Sequence, residues 1–299
     1  MFSVAPAILI LSAGLVADRG SGPAERIYGG TPVSDGDFLA VIGIHVEFGE
    51  RAILCTGTVV APQVAITAAH CFAQLDNDTP VRVYVGEKLV DPKNTVLAES
   101  WGIHPDYNPE RKEDTFDYAY IRLAEPLDVG TIAPIGDQAV FDATIGTGSA
   151  VTIVGYGETE SGELGVKHEV TTSITSFTSS GAEFFAGGEG KDSCIGDSGG
   201  PALVKHKGEW HLGGLLSRGY DCGEGGVYGV PFAMLCWLRD ETGADLLPSS
   251  CNECQCLDVS PPGPDDSAKE GCWGGSENRG ALFVLPGCLW LTRRRRRST

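Results

Sequence analysis

The sequence predicts an all-β fold of the sandwich or barrel kind, on three observations. Short runs rich in β-branched residues recur along the middle of the chain, and turn residues separate them. Glycine and proline are abundant, at 41 and 17 of 299 residues. Even spacing of short strands with turn signals between them marks barrels and sandwiches, and this composition suits them better than helix bundles.

Taken in order, the chain opens with an almost wholly apolar stretch from Val4 to Ala17, ending in the small residues Ser12, Ala13, Gly14 and Ala17. Over residues 1–17 this reads as a secretory signal peptide, although no lysine or arginine precedes it. A buried first strand or helix is the competing reading. Strand-like runs follow at Ala40 to Val46, Val81 to Val85, Ala150 to Val154 and Trp210 to Leu216. Phe232 to Glu241 holds better helix formers and is expected to close the folded body, which the sequence bounds at residues 27–247. Residues 248–270 then read as a linker rich in cysteine and proline, with Pro261-Pro262-Gly263-Pro264 at its centre.

Residues 271–299 have another texture: Gly271-Cys272-Trp273-Gly274-Gly275, an apolar patch from Ala281 to Leu291, and the run Arg293 to Arg297. A spanning helix needs about 20 apolar residues, more than this patch offers. Its order, apolar and then cationic, still fits a stop-transfer segment. A glycine–cysteine motif, short apolar segment and arginine cluster together resemble the C-terminal surface-sorting tails of myxobacterial exported proteins, with Cys272 as the matching cysteine. A solvated basic tail is the alternative for the arginines.

The formal charge of −18, part of it concealed by the terminal arginines, argues against nucleic-acid binding and favours cationic substrates through steering. Ten cysteines point to an oxidising compartment. Cys251, Cys254 and Cys256 lack the second pair or histidines of a zinc site, so disulfides are expected there. Cys236 pairs with that cluster or stays a buried thiol. No metal or cofactor is expected.

Chemistry concentrates in Asp192-Ser193-Cys194-Ile195-Gly196-Asp197-Ser198-Gly199-Gly200-Pro201. A serine hydroxyl is a poor nucleophile unless a base lies within hydrogen-bond reach and a third group orients that base. Upstream the chain has His70 in Thr67-Ala68-Ala69-His70-Cys71, and Asp117 ahead of the apolar run ending Ile121-Arg122-Leu123. Histidine exchanges a proton near neutrality. Asp114 competes with Asp117 but sits in the charged loop Arg111-Lys112-Glu113-Asp114.

In order and context these three segments resemble the trypsin/chymotrypsin-like serine proteases. The resemblance implies two packed six-stranded antiparallel β-barrels with a C-terminal helix and a site in the cleft between them. It implies Ser198 as nucleophile, His70 as general base, Asp117 as orienter, and the backbone N–H groups of Gly196 and Ser198 as the oxyanion hole. Asp192 would select arginine or lysine at the base of a pocket walled by Ser217, Gly219 and Gly226. Residues 18–26 would be an activation propeptide: cleavage after Arg26 frees the amine of Ile27 to pair with Asp197. Cys55 with Cys71, and Cys194 with Cys222, would be disulfides.

The departures are Arg218, where an aromatic residue is common, and Ile195, where a polar one is common. Arg218 is expected to disfavour basic substrate residues or to pair with an acidic one. The expectation is therefore a zymogen of a serine endopeptidase, secreted or held at the bacterial outer surface, acting on peptides with Arg or Lys at the cleaved bond. An activating protease is its implied partner. A silent protease-like binding module and a surface adhesin are the rivals.

Overall fold

In Val81-Arg82-Val83-Tyr84-Val85 the valines are buried and the intervening residues half-exposed, the period of a strand with one face on a core. Thirteen such strands are found among the described residues of this computed structural model, which are 27–48, 51–76, 78–249, 251 and 256–259. In chain order they begin with β1 (Thr31–Pro32), β2 (Val41–Phe48), β3 (Arg51–Ala61) and β4 (Val64–Thr67). There follow β5 (Val81–Val85), β6 (Asn94–Ile103) and β7 (Ala119–Leu123). After helix α1 (Gln138–Thr144) come β8 (Ala150–Gly155), β9 (His168–Phe177), β10 (Glu183–Ala186), β11 (Pro201–His206), β12 (Glu209–Gly219) and β13 (Gly226–Gly229). Helix α2 (Leu235–Thr242) is last.

Two closed rings result, both antiparallel. The first runs β2-β3-β4-β7-β6-β5 and closes through the β2–β5 pairing. The second runs β8-β9-β10-β13-β12-β11 and closes through β11–β8, with β1 added outside on β9. Closure removes the open edges that an all-β chain must otherwise protect. Register shifts at Val59/Ala61, Ala98/Ser100 and Leu216/Arg218 add the local bend that small barrels need.

Each barrel has its own core, and burying each aliphatic side chain contributes roughly 1.5–3 kcal/mol. The first core, around Ile44, Ile66, Val83 and Ile121, runs on into Val154, Leu203 and Leu215 of the second barrel, so the barrels share one packed boundary. Ile153, Val170, Phe184 and Tyr228 belong to the second core. The six-residue stretch Cys55 to Val60 of β3 is buried without alternation because it touches its own barrel on one side and the boundary on the other.

Three features differ from the sequence expectation. The closing helix begins at Leu235, and Pro231–Met234 forms a 3-10 turn before it. Proline lacks an N–H and is tolerated only in a first turn. Helix α1 was not expected; Asp137 caps it by accepting the Val140 N–H. The packed body also extends past Leu247: Leu257 and Val259 lie on the second core, and the Gln138 side chain hydrogen-bonds both the N–H and the carbonyl of Asp258. The signal peptide, the activation propeptide, Cys254 and the tail at 271–299 lie outside the described residues.

Candidate active site

Strands β4 and β7 are antiparallel neighbours, with Thr67 opposite Ala119. The end of one and the start of the other therefore share a barrel rim, which brings His70 to Asp117. The Asp117 Oδ2 lies 2.8 Å from His70 Nδ1, and its Oδ1 accepts the His70 backbone N–H at 2.9 Å. Ser217 on β12 donates its hydroxyl to Oδ2 at 2.7 Å. Asp117 is buried and the His70 side chain is one-third exposed, so the ring is fixed on one edge and open on the other. Asp114 lies outside this group and accepts the Ser180 hydroxyl.

Ser198 reaches the same rim from the second barrel. Its carbonyl accepts the Thr56 N–H of β3 at 2.9 Å, and the Gly199 N–H donates to Leu216 at 2.8 Å. Gly199 has φ of 75°, and a Cβ there would stand 2.0 Å from Thr67 Oγ1 and 2.4 Å from the Ala68 nitrogen. The serine turn is thus pressed directly on the histidine loop, at a distance only glycine permits. Among the described residues no hydrogen bond joins the Ser198 hydroxyl to the His70 ring; such bonds are often loose in unliganded sites. Gly196, one of the two residues assigned to the oxyanion hole, has φ of 100° and its carbonyl accepts the Thr56 hydroxyl at 2.9 Å.

The disulfides Cys55–Cys71 and Cys194–Cys222 brace the histidine and serine loops. Cys251 joins Cys256, and Cys236 is also disulfide-bonded, so the buried-thiol alternative for it falls.

Asp192 is buried under glycines. Its Oδ2 accepts the Gly225 N–H at 2.7 Å, and its Oδ1 accepts the Ser193 hydroxyl at 3.2 Å. A Cβ on Gly187 would lie 2.7 Å from Oδ1, and one on Gly226 would strike Leu216. Burial raises this carboxyl above the usual aspartate value, and the bonds from Gly225 and Ser193 oppose the rise. Gly219 and Gly226 are paired across β12 and β13.

Asp197 is fully enclosed. Gly157 and Cys194 donate backbone N–H groups to its two oxygens at 2.7 and 2.9 Å, and among the described residues no cation pairs with it. Burial pushes its carboxyl up to about 7. Ile27 is buried in the second core. The next residue is tied to Asp192, since the Tyr28 carbonyl accepts the Asp192 N–H at 3.0 Å.

Comparison with known proteins agrees with this geometry. The chain matches the Trypsin family over residues 27–235. It belongs to the trypsin family. It is 29% identical over 249 residues to coagulation factor XI of Bos taurus, covering 73% of this chain and 38% of that one. To the venom peptide isomerase heavy chain of Agelenopsis aperta it is 32% identical over 224 residues, 66% of this chain and 90% of that one. To phenoloxidase-activating enzyme 1 of Spodoptera litura it is 30% identical over 240 residues, 69% and 63% of the two chains. The chain therefore spans less than two thirds of two of these three relatives.

The two departures from the trypsin-family pattern have distinct outcomes. Arg218 does not stand as a free charge beside the substrate: its guanidinium is bound to the buried carboxylate of Glu183 at 2.7 Å. Nothing local in the sequence marks Glu183, because an acid in Gly181-Ala182-Glu183-Phe184 carries no motif. Ile195 is 71% exposed. With Leu54, Leu89, Val90, Leu164 and Gly196 it lines an open, mostly apolar cavity of about 460 Å³.

Proposed function

We propose that this chain is a secreted serine endopeptidase, made as a latent precursor and cleaving after arginine or lysine. The observation that carries the reading is the buried Asp117 carboxylate, bound to both the ring and the backbone of His70 at the rim where the Ser198 turn packs. His70 takes the proton from Ser198 Oγ as that oxygen attacks the scissile carbonyl carbon. Asp117 holds the Nδ1 proton and stabilises the imidazolium. The carbonyl oxygen, now negative, is received by the N–H groups of Gly196 and Ser198. Collapse expels the amine, which takes the proton from His70, and leaves an acyl-Ser198 ester. Water, deprotonated by the same ring, attacks that ester; the imidazolium returns the proton to Ser198 Oγ as the acid leaves.

Asp192 supports selection of a cationic residue, because a buried carboxylate whose burial is only partly offset by hydrogen bonds gains from an incoming guanidinium or ammonium. Latency is supported at two points. Asp197 is a buried acid in need of a cation, and Ile27 holds φ of 40°, a costly conformation for a β-branched residue. Cleavage after Arg26 would relieve the second and supply an ammonium to the first. The apolar start and the disulfides favour export, and the tail after Gly271 favours retention at a bacterial surface.

The test is covalent labelling by an organophosphate after limited trypsin treatment. Label on Ser198 only after cleavage at Arg26 is expected. Absence of label in correctly cleaved protein would sink the enzyme reading and leave the binding module. Mass measurement of the secreted chain checks the ends at residues 17, 26 and 271.

A further inference from the structure

Two backbone outliers stand directly before Asp117. Asp114 and Phe116 have φ of 54° and 51°, in the left-handed region that residues with a Cβ avoid. Such conformations persist only where the surroundings impose them. At Asp114 and its neighbour Thr115 the constraint comes from the other barrel. Glu183, at the start of β10, accepts the N–H of Asp114 at 3.1 Å, the N–H of Thr115 at 3.2 Å and the Thr115 hydroxyl at 3.0 Å.

Arg218 completes the group from β12. Its Nη1 and Nη2 donate to the two Glu183 oxygens at 2.9 and 2.7 Å, and Nη2 also donates to the Lys112 carbonyl at 2.8 Å. Burial alone would raise the Glu183 carboxyl, but the guanidinium and the Thr115 bonds outweigh it and hold the group below the usual glutamate value. One ion pair thus gathers β10, β12 and the loop 112–117 from the opposite barrel. The loop ends in Asp117, and the residue before Arg218 is Ser217, whose hydroxyl Asp117 accepts.

We propose that Glu183 and Arg218 form an inter-barrel clamp that positions Asp117 against His70. The proposal rests on the reading of Asp117 as the orienter of the triad. Both members are positioning residues, since neither touches the reacting atoms. The bidentate geometry matters: a planar fork spans both carboxylate oxygens, while the oxygens' remaining lone pairs hold the loop amides. Releasing the clamp lets the left-handed residues relax and carries Asp117 away from Nδ1. Turnover then falls while Asp192, which lies on a separate loop and is held by Gly225 and Ser193, still binds.

The experiment uses the full activated chain carrying Glu183→Gln, Arg218→Lys, or Glu183→Leu together with Arg218→Leu. Glu183→Gln risks misfolding by orphaning a partly buried guanidinium, whereas removing both charges avoids that penalty. Three quantities are read well below the thermal midpoint: kcat, KM for a small arginine ester ending at the first pocket, and the rate of Ser198 labelling by an organophosphate. In the folded double variant kcat and labelling are expected to fall about 10- to 100-fold, with KM within about twofold, as a displacement near 1 Å produces. Arg218→Lys should lie between, because one ammonium cannot span both oxygens. A folded double variant with unchanged kcat overturns the clamp, and so does a change confined to KM. The control Ser198→Ala keeps the two readings apart: if it still turns over, the triad itself fails and the clamp with it.

Discussion

Replacing Asp197 by asparagine, in a chain kept intact by Arg26→Gln, should stabilise the protein at pH 8 and destabilise it at pH 4. Burial moves the Asp197 carboxyl from its ordinary 3.8 to about 7 in the folded chain. Between those values the folded state holds a proton that the unfolded state releases. Stability is therefore greatest below the lower value, falls as pH rises through the interval, and is level above it. At about 1.4 kcal/mol per pH unit, the wild-type acid costs the uncleaved fold roughly 4 kcal/mol at pH 8. The amide carries no such cost, but it can accept from only one of Gly157 and Cys194. Losing the other bond costs about 1–3 kcal/mol at either pH. The net effect of the substitution is a gain of about 1–3 kcal/mol at pH 8 and a comparable loss at pH 4. Urea unfolding followed by tryptophan fluorescence, disulfides intact, measures both. A change of the same sign and size at the two pH values would refute the reasoning. In wild-type chain cleaved after Arg26, the decline in stability from pH 4 to pH 7 should disappear, because the Ile27 ammonium then holds the carboxylate ionised.

Asp192→Ser should lower kcat/KM for arginine substrates at least about 10³-fold while Ser198 still labels; an unchanged arginine preference removes Asp192 from recognition. Burial raises the Asp192 carboxyl, so the wild-type KM for an arginine substrate should climb on the acid side at a higher pH than an ordinary aspartate gives, with a neutral substrate as reference. Gly199→Ala places a Cβ 2.0 Å from Thr67 Oγ1 at a positive φ, and should cost about 3 kcal/mol or more in a denaturant titration. The apolar cavity beside Gly196 should favour leucine over aspartate about tenfold just beyond the scissile bond, a preference that Ile195→Asp reduces; equal cleavage of both peptides would exclude it.

The strands were legible where local pattern was strong. Val81 to Val85 alternates cleanly and is β5 residue for residue, and Ala150 to Val154 is β8 without its last glycine. Helix α1 was not legible, because its seven residues bury little besides Phe141 and its start rests on a single capping aspartate. The closing helix starts three residues after the first helix former of its run, because Pro231 opens a 3-10 turn there. The candidate site was legible because its members lie in short segments of constrained chemistry. Glycines needed at positive φ stand beside Ser198, and Cys55 and Cys71 flank the histidine loop.

By itself the sequence determined the all-β class, the trypsin-family motifs around His70, Asp117 and Ser198, and the acids Asp192 and Asp197 beside the serine. Each depends on residues near one another in the chain, where spacing reports chemistry. Only the tertiary structure decided what surrounds them. It assigned Arg218 to Glu183 rather than to a substrate, enclosed Asp197 away from any cation among the described residues, and packed Leu257 on the second core. These outcomes depend on pairs far apart in sequence that meet when two barrels close and touch. A charged residue's partner is set by that meeting, and no local pattern encodes it.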